Sequence, residues 1–371
     1  MVISLRAFLL HNKMKTLNEI ENLGFDKFFE PEGKSLELMG YTIARVISEH
    51  KESYRVRDIN GEYLAKITGK QIFNATKRED YPAVGDWVAI TMSDEETATI
   101  HQTLKRKTVL SKKYSNKEDN QIIATNIDVA FVVESIDKDY SLNRFERYFV
   151  LINEGRIKPV IIINKIDLIS KEDLNIKIEE IKNRFNDVDI ITTSIINEKG
   201  LDELINYIEK GKTYCFLGSS GVGKSSLINK LLKINKIKTG EISNATGKGK
   251  HTTTNREMHF LDNGGILIDN PGTREVGMIS ANNGIENIFD QITSLSRKCK
   301  YRDCTHTHES GCAVLKALEK NELDKEKYLN YIKLKKETEY YEMNDFEKRE
   351  KDRKFGKFIK KSLKELEEFE P

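Results

Sequence analysis

Gly218-Ser219-Ser220-Gly221-Val222-Gly223-Lys224-Ser225 matches the pattern G-x-x-x-x-G-K-[ST], and it constrains the fold of this 371-residue chain more than any other stretch. An apolar strand pattern, Tyr214 to Leu217, leads into it, and a helical pattern, Ser226 to Leu232, follows. Strand, glycine-rich loop and helix in that order belong to α/β proteins that hold nucleotide phosphates at a helix N-terminus. The glycines let backbone N–H groups wrap the phosphates, and the helix dipole favours their charge. Lys224 is expected to reach the β- and γ-phosphates and Ser225 to ligate Mg²⁺. Gly218, Ser219, Ser220, Gly221, Val222, Gly223 and Ser226 complete the expected phosphate contacts.

The base is addressed by Asn164-Lys165-Ile166-Asp167, directly after the strand pattern Val160 to Ile163. A carboxylate there accepts two hydrogen bonds from N1–H and the 2-amino group of guanine. Adenine lacks that donor pair, and a buried carboxylate facing it would stay unpaired. Lys165 is expected along the base plane, and Asn164 to tie this loop to the phosphate loop. Thr193-Ser194, after the strand Ile190 to Thr192, fits a loop supporting the base. Asp269-Asn270-Pro271-Gly272 follows the strand Ile266 to Ile268. Asp269 is expected to hold Mg²⁺ through water, and the Gly272 N–H to sense the γ-phosphate. Between the two motifs lies Gly247-Lys248-Gly249-Lys250-His251-Thr252-Thr253-Thr254. One of the threonines, Thr253 for preference, is expected to close on Mg²⁺ and the γ-phosphate.

The order of these motifs is unusual. In the common small G proteins the phosphate loop comes first and N-K-x-D late; here N-K-x-D precedes it. The sheet can stay the same if the chain is circularly permuted, which domains with adjacent termini tolerate. The segment after Gly272, which senses hydrolysis, then leads directly into a cysteine-containing region, so a γ-phosphate-dependent movement could pass to a C-terminal domain.

The length implies more than one domain. Residues 1–39 read as an N-terminal extension, with Leu17, Ile20 and Leu23 at helical spacing over 14 to 39, a docking arm without its own chemistry. Met1 to Leu10 carries a short apolar stretch with no small-residue cleavage site, so a start at Met14 is expected rather than a secretory signal. Residues 40–112 hold short strand patterns (Tyr41 to Ile47, Tyr54 to Arg57, Tyr63 to Ile67, Val84 to Ile90), with Asn60-Gly61 expected as a two-residue hairpin turn. They suggest a small barrel of OB or SH3-like type. Residues 113–284 form the nucleotide domain, with strands at Val129 to Val133, Val160 to Ile163, Ile190 to Thr192, Tyr214 to Leu217 and Ile266 to Ile268 alternating with helices such as Lys171 to Phe185 and Leu201 to Glu209. Such apolar strands with helical crossovers mean a mostly parallel sheet covered on both faces. Residues 285–345 read as a helical metal-binding domain and 346–371 as a charged helical tail.

Three of the four cysteines crowd into Cys299-x₄-Cys304-x-His306-x₅-Cys312. Three thiolates with one imidazole, from His306 or His308, make a closed tetrahedral set for structural Zn²⁺, with no open position for catalysis. No apolar run approaches the ~20 residues of a membrane-spanning helix, and cytoplasm is the expected location. The balance of 61 basic and 59 acidic residues argues neither for nor against nucleic acid.

Together these motifs resemble the family of circularly permuted GTPases that help mature the small ribosomal subunit (RsgA, also called YjeQ or YloQ). Tyr81-Pro82-Ala83-Val84-Gly85-Asp86-Trp87-Val88 in the barrel, the permuted Asn164–Asp167 and Gly218–Ser226, His251–Thr254, Asp269–Gly272 and the cysteine cluster carry the resemblance, over roughly Tyr41 to Leu318. It implies an OB barrel, a circularly permuted P-loop GTPase domain and a C-terminal α-helical zinc domain. It implies GTP hydrolysis stimulated by the 30S subunit, binding near the decoding region through 16S rRNA, and release on hydrolysis as a late assembly checkpoint. It favours His306 as the fourth zinc ligand. Asn270 stands where many members have Thr or Ser, and Thr273 where many G proteins have a water-orienting Gln. Slow hydrolysis without a partner is therefore expected, with His251 the candidate to position water. Arg274 reads as an exposed arginine.

Lys105-Arg106-Lys107, Lys112-Lys113, the cations Lys298, Lys300 and Arg302, and a tail stretch (Arg349, Lys351, Arg353, Lys354, Lys357, Lys360, Lys361) could each hold RNA phosphates. Phe355, Phe358, Ile359, Leu363 and Leu366 suggest an amphipathic docking helix in the tail. A monomer is expected. The competing readings are an RNA-binding GTP switch whose hydrolysis is incidental, and a diverged GTPase serving another macromolecule.

Overall fold

The computed structural model describes residues 19–50, 53–113, 120–137, 140–233, 256–269, 281–343, 346–351, 353 and 357. They divide into two compact units, those within Met1–Lys112 and Asp119–Val276 and those within Lys113–Glu118 and Gly277–Pro371.

The first unit opens with a barrel. Strands β1 (Thr42–His50), β2 (Ser53–Arg57), β3 (Glu62–Ile67), β4 (Trp87–Met92) and β5 (Thr97–Thr103) run in the order β1-β2-β3-β5-β4, and β1 pairs with β4 to close the ring. β3 and β5 are parallel; the other pairs are antiparallel. This is the OB arrangement, with the short helix Gly69–Asn74 between β3 and β4. Alternation supplies the interior: Ala44, Val46, Val56, Ala65, Val88, Ile90, Ala98 and Ile100 are all buried in one cluster. β1 is buried on its other face too, because Ile43, Trp87, Ala89 and Leu104 pack against Leu23, Phe25, Phe29 and Leu36 of the N-terminal arm. Phe25 meets the Trp87 ring edge-on, centroids 4.9 Å apart, a geometry that adds about 1 kcal/mol beyond its area.

Two local expectations are corrected. From Glu19 on, the arm is not one helix: the chain turns at Gly24, φ +89°, and the helix Glu30–Leu38 follows, while Met14 and Leu17 lie outside the described residues. Asn60-Gly61 do not make a two-residue turn. The connection from Arg57 to Glu62 takes four residues, because the Asp58 carboxylate accepts from the N–H groups of both Asn60 (2.7 Å) and Gly61 (2.9 Å).

After a two-stranded ribbon of β6 (Val109–Lys113) and β7 (Asn120–Thr125), the second sheet begins. It contains β8 (Val129–Ser135), β9 (Lys158–Asn164), β10 (Asp189–Thr193), β11 (Thr213–Leu217), β12 (Glu257–Phe260) and β13 (Ile266–Asp269) in the order β10-β9-β8-β11-β13-β12. All pairs are parallel except β12–β13. The helices Leu142–Glu154, Lys171–Arg184 and Leu201–Tyr207 make the crossovers from β8 to β11. The chain runs outward from β8 to β10, then returns to β11 beside β8. That reversal is a topological switch point, and ligands bind outside the carboxyl ends of strands at such points. The sheet continues into the barrel through one pairing, Ser48 opposite Glu257.

The second unit is helical among its described residues: Asn282–Ile288, Asp290–Ser296, Ala313–Glu319 and Lys325–Glu342 gather Ile285, Phe289, Ile292, Val314, Tyr331 and Leu334 into its buried interior. No described helix is long and apolar enough to cross a membrane.

Candidate functional site

The phosphate loop leaves the carboxyl end of the buried strand β11 at the switch point. Gly218 (φ +145°), Gly221 (φ +85°) and Gly223 (φ +99°) all hold backbone conformations that side chains resist. At Gly218 a Cβ would lie 2.2 Å from the Val133 carbonyl oxygen, so the loop can leave β11 against β8 only without one. Lys224, at the start of the helix Lys224–Leu231, bends back and donates to the carbonyls of Gly218 (2.7 Å) and Ser219 (2.6 Å). Its ammonium is thereby centred on the loop. Ser225 and Ser226 occupy the same first helical turn, and Val222 is buried beneath the loop.

The base loop sits at the neighbouring carboxyl end. Asn164 ends β9 and is buried; its Nδ2 donates to the Val222 carbonyl at 2.8 Å, and its Oδ1 accepts from Thr193 Oγ1 at 3.0 Å. One carboxamide therefore joins three loops. Lys165 takes a left-handed conformation, φ +61°, and its Nζ lies 3.0 Å from Asp137 Oδ2. Asp167, in the 3₁₀ turn Ile166–Leu168, accepts a hydrogen bond from Ser194 Oγ. So the structure brings Asn164, Lys165, Asp167, Thr193 and Ser194 together with Gly218–Ser226 along one edge of the sheet.

Asp269 ends β13 and is nearly buried. Burial pushes its carboxyl up to about 6, Lys224 pulls it down, and Glu257, opposite it on β12, adds to the rise. A buried carboxylate facing a lysine at a strand end suits a divalent cation, which would replace the proton. His251, Thr252, Thr253, Asn270, Gly272, Thr273 and Arg274 lie outside the described residues.

Two contributors escaped motif reading. Asp137 orients Lys165, and the Tyr148 hydroxyl hydrogen-bonds Ser219 from the helix Leu142–Glu154. Position was the only signal, since Asp137 follows a strand whose neighbour carries N-K-x-D.

In the helical unit, Cys299, Cys304, His306 and Cys312 place their ligand atoms within 4.8 Å of one another. Cys299 and Cys312 sulfurs are 3.8 Å apart and lie 3.6 and 3.5 Å from His306 Nδ1. A tetrahedral zinc with bonds of about 2.3 Å to sulfur and about 2.0 Å to nitrogen has edges of about 3.8 and about 3.5 Å. The donor set fits that ion. His306 takes φ +62°, and Tyr328 donates to its carbonyl at 2.7 Å. Burial, followed by the Lys335 charge, holds its imidazole below the usual value, in the neutral form a metal requires. His308 is exposed, its Nδ1 against Thr307 Oγ1 at 2.8 Å, outside the cluster.

Two expected RNA-contacting cations are otherwise engaged. Arg106 is locked onto buried Asp86 at 2.7 Å, and Lys107 meets Asp26 and Asp128 at 2.7 and 3.2 Å. Lys298, Lys300 and Arg302 are exposed beside the cysteine cluster, as are Lys351, Arg353 and Lys357 in the tail. Lys354, Phe355, Phe358, Ile359, Lys360, Lys361, Leu363 and Leu366 lie outside the described residues.

The chain is 39% identical over 305 residues to the small ribosomal subunit biogenesis GTPase RsgA 2 of Lactiplantibacillus plantarum, covering 82% of this chain and 86% of that one. It belongs to the RsgA family. The RsgA GTPase family model matches residues 103–279, the span that holds both loops and β13. The crystal structure of YjeQ from Thermotoga maritima superposes with a TM-score of 0.58 at 29% identity, over 80% of this chain and 98% of that one. A solved structure described as YloQ, a circularly permuted GTPase, shares the fold, with a TM-score of 0.56 over 82% of this chain and 97% of that one.

Proposed function

We propose that this chain is a GTPase of small ribosomal subunit biogenesis. It hydrolyses GTP to GDP and phosphate, is stimulated by the 30S subunit, binds 16S rRNA and leaves on hydrolysis, as a late checkpoint. The observation that carries the reading is the Asn164 bridge: the N-K-x-D loop and the glycine-rich loop are tied at 2.8 Å in a chain of this family. Asp167 reads the guanine edge, with Lys165 along the base and Thr193-Ser194 behind it. Gly218, Ser219, Ser220, Gly221, Val222, Gly223, Lys224, Ser225 and Ser226 hold the phosphates. Ser225, Asp269 and Thr253 hold Mg²⁺, the Gly272 N–H senses the γ-phosphate, and His251 positions water. Cys299, Cys304, His306 and Cys312 hold one structural Zn²⁺, in a segment too small to be stable on its apolar core alone. The chain acts in the cytoplasm as a monomer, divided into arm, barrel, nucleotide domain, zinc domain and tail at the boundaries read from the sequence.

The test is GTP turnover with and without purified 30S subunits, beside Asp167→Asn and His251→Ala. The expected result is strong 30S-specific stimulation of the parent, loss of guanine preference in the first variant and loss of stimulated turnover in the second. Intact GTP binding without any stimulation by 30S would sink the ribosomal reading and favour another macromolecular partner.

A further inference from the structure

The helix Gly69–Asn74 contributes no buried residue. Its apolar side chains face outward instead, with Phe73 88% exposed and Ile72 52%. The segment is nevertheless held at both ends. Thr68 Oγ1 caps the helix by accepting from Gln71 N at 3.2 Å. Beyond the helix, the Asp80 carboxylate accepts from the backbone N–H groups of Thr76 (2.8 Å) and Lys77 (2.9 Å) and from the Thr76 hydroxyl (3.2 Å). Phe73 is therefore displayed on a fixed support.

Its own stretch of chain carries one sign of charge. From Lys66 to Arg78 there are four basic residues and no acidic one. Lys66 and Lys70 are exposed and form no ion pair among the described residues, and Lys77 is exposed with its charge beside the Asp80 carboxylate. Lys70 and Phe73 are three positions apart, so they share a helix face. Acidic residues resume at Glu79 and Asp80, of which Asp80 caps the backbone, and Glu62 before the stretch faces Arg55 and Arg57.

We propose that this face of the barrel docks single-stranded RNA, with Phe73 stacked on an unpaired base and Lys66, Lys70 and Lys77 on the flanking phosphates. A base offers any aromatic ring a π-face, and its backbone offers anions on either side, so one exposed ring among exposed cations fits RNA without further construction. An apolar protein groove would match the ring but offer no anion to Lys66 and Lys70. The inference deepens the RNA-binding part of the function proposed above and is tested separately from turnover.

The experiment titrates the full chain with an unstructured single-stranded RNA of about 12 nucleotides, without 30S or nucleotide. Phe73→Ala should weaken binding by roughly 5- to 150-fold, the range of one lost base stack. Phe73→Trp should retain it. Trp87 is the one native tryptophan and is buried, so the added indole is the exposed emitter and should be quenched as the base stacks. Lys70→Gln should flatten the salt dependence by about 0.7 in log–log slope. GTP binding should not change in any variant. Wild-type RNA affinity in Phe73→Ala, or an indole in Phe73→Trp that does not respond to RNA, would overturn the proposal. So would a Phe73→Ala chain that loses 30S affinity but binds the RNA normally, which would assign the face to a ribosomal protein. Absence of 30S-stimulated turnover with RNA binding intact would count against the proposed function alone.

Discussion

Asn164 and Val222 are joined by a 2.8 Å hydrogen bond, carboxamide to carbonyl, across 58 residues of sequence. The bond ties the N-K-x-D loop to the glycine-rich loop, and the other end of the same carboxamide holds Thr193. Asn164→Ala removes both contacts and leaves the buried Val222 carbonyl and Thr193 hydroxyl unpaired, at about 1 to 3 kcal/mol each. Guanine nucleotide affinity should fall by at least tenfold, read by titration with a fluorescent GDP analogue. An unchanged affinity would mean that the loops are positioned independently.

Gly223→Ala tests the same junction from the other side. The new Cβ would lie 2.3 Å from Asn164 Nδ2, at a residue whose φ is +99°. The strain falls on the loop and not on the core, so nucleotide binding should be lost while circular dichroism and cooperative unfolding are preserved. Global unfolding of this variant would place the cost elsewhere.

Asp269 yields a pH prediction for the nucleotide-free and Mg²⁺-free chain. Burial raises its carboxyl to about 6, from 3.8. A raised acid holds its proton more tightly when folded, so its contribution to stability is complete below about pH 4 and is lost as pH rises towards 6. Asp269→Asn should remove this part of the pH slope and stabilise the bare protein at pH 7 by about 1 to 3 kcal/mol. The same variant should lose Mg²⁺-dependent nucleotide binding. Unfolding midpoints at pH 4, 6 and 7 for parent and variant decide it.

Much of this was legible in the sequence where burial is two-sided. β8, β9, β11 and β13 are runs of apolar residues, because helices cover both faces of a parallel sheet. The motifs were legible because each stands at the end of such a run. The helix Leu142–Glu154 was legible only as a crossover without bounds. It buries Phe145, Tyr148, Phe149, Val150, Leu151 and Ile152 on one side, and its Glu146, a charge that reads as surface, is buried because Arg184, 38 residues on, pairs with it at 2.7 Å. β5 was missed because its sequence, Thr97 to Thr103, is mostly polar and half-exposed. β12 has only four residues, and its pairing with β13 and β1 is a long-range property. Asp137 could not be recognised as the partner of Lys165 until β8 and β9 were seen side by side.

The cysteine cluster predicts its own stoichiometry. One zinc per chain should be found by elemental analysis, lost in Cys304→Ser and His306→Ala but kept in His308→Ala, since His308 stands outside the cluster. Chelation should melt the helical unit, whose ligands come from a loop with little apolar burial of its own. Retention of zinc by His306→Ala together with its loss from His308→Ala would exchange the two assignments.

Asp86 carries the last prediction. Its fully buried carboxylate accepts from Arg106 Nη2 at 2.7 Å, Arg106 Nε at 2.9 Å, Thr125 Oγ1 at 2.7 Å and the Ala83 N–H at 2.8 Å. Arg106 also donates to the carbonyls of Glu79 and Tyr81, both at 2.8 Å. The pair thus fastens the loop before β4 to Thr125, just ahead of β8. Asp86→Ala leaves a guanidinium only 18% exposed without its counter-charge, and should destabilise the first unit by about 3 to 5 kcal/mol. Replacing both partners, as Asp86→Leu with Arg106→Met, removes the orphaned charge and should recover part of the loss. Recovery should stay incomplete, because Ala83 N–H and Thr125 Oγ1 still lose their acceptor. Chemical unfolding of the two variants separates the cases: full recovery would reduce Asp86 to an ion-pair partner, and none would mean that its backbone and hydroxyl contacts carry the whole effect.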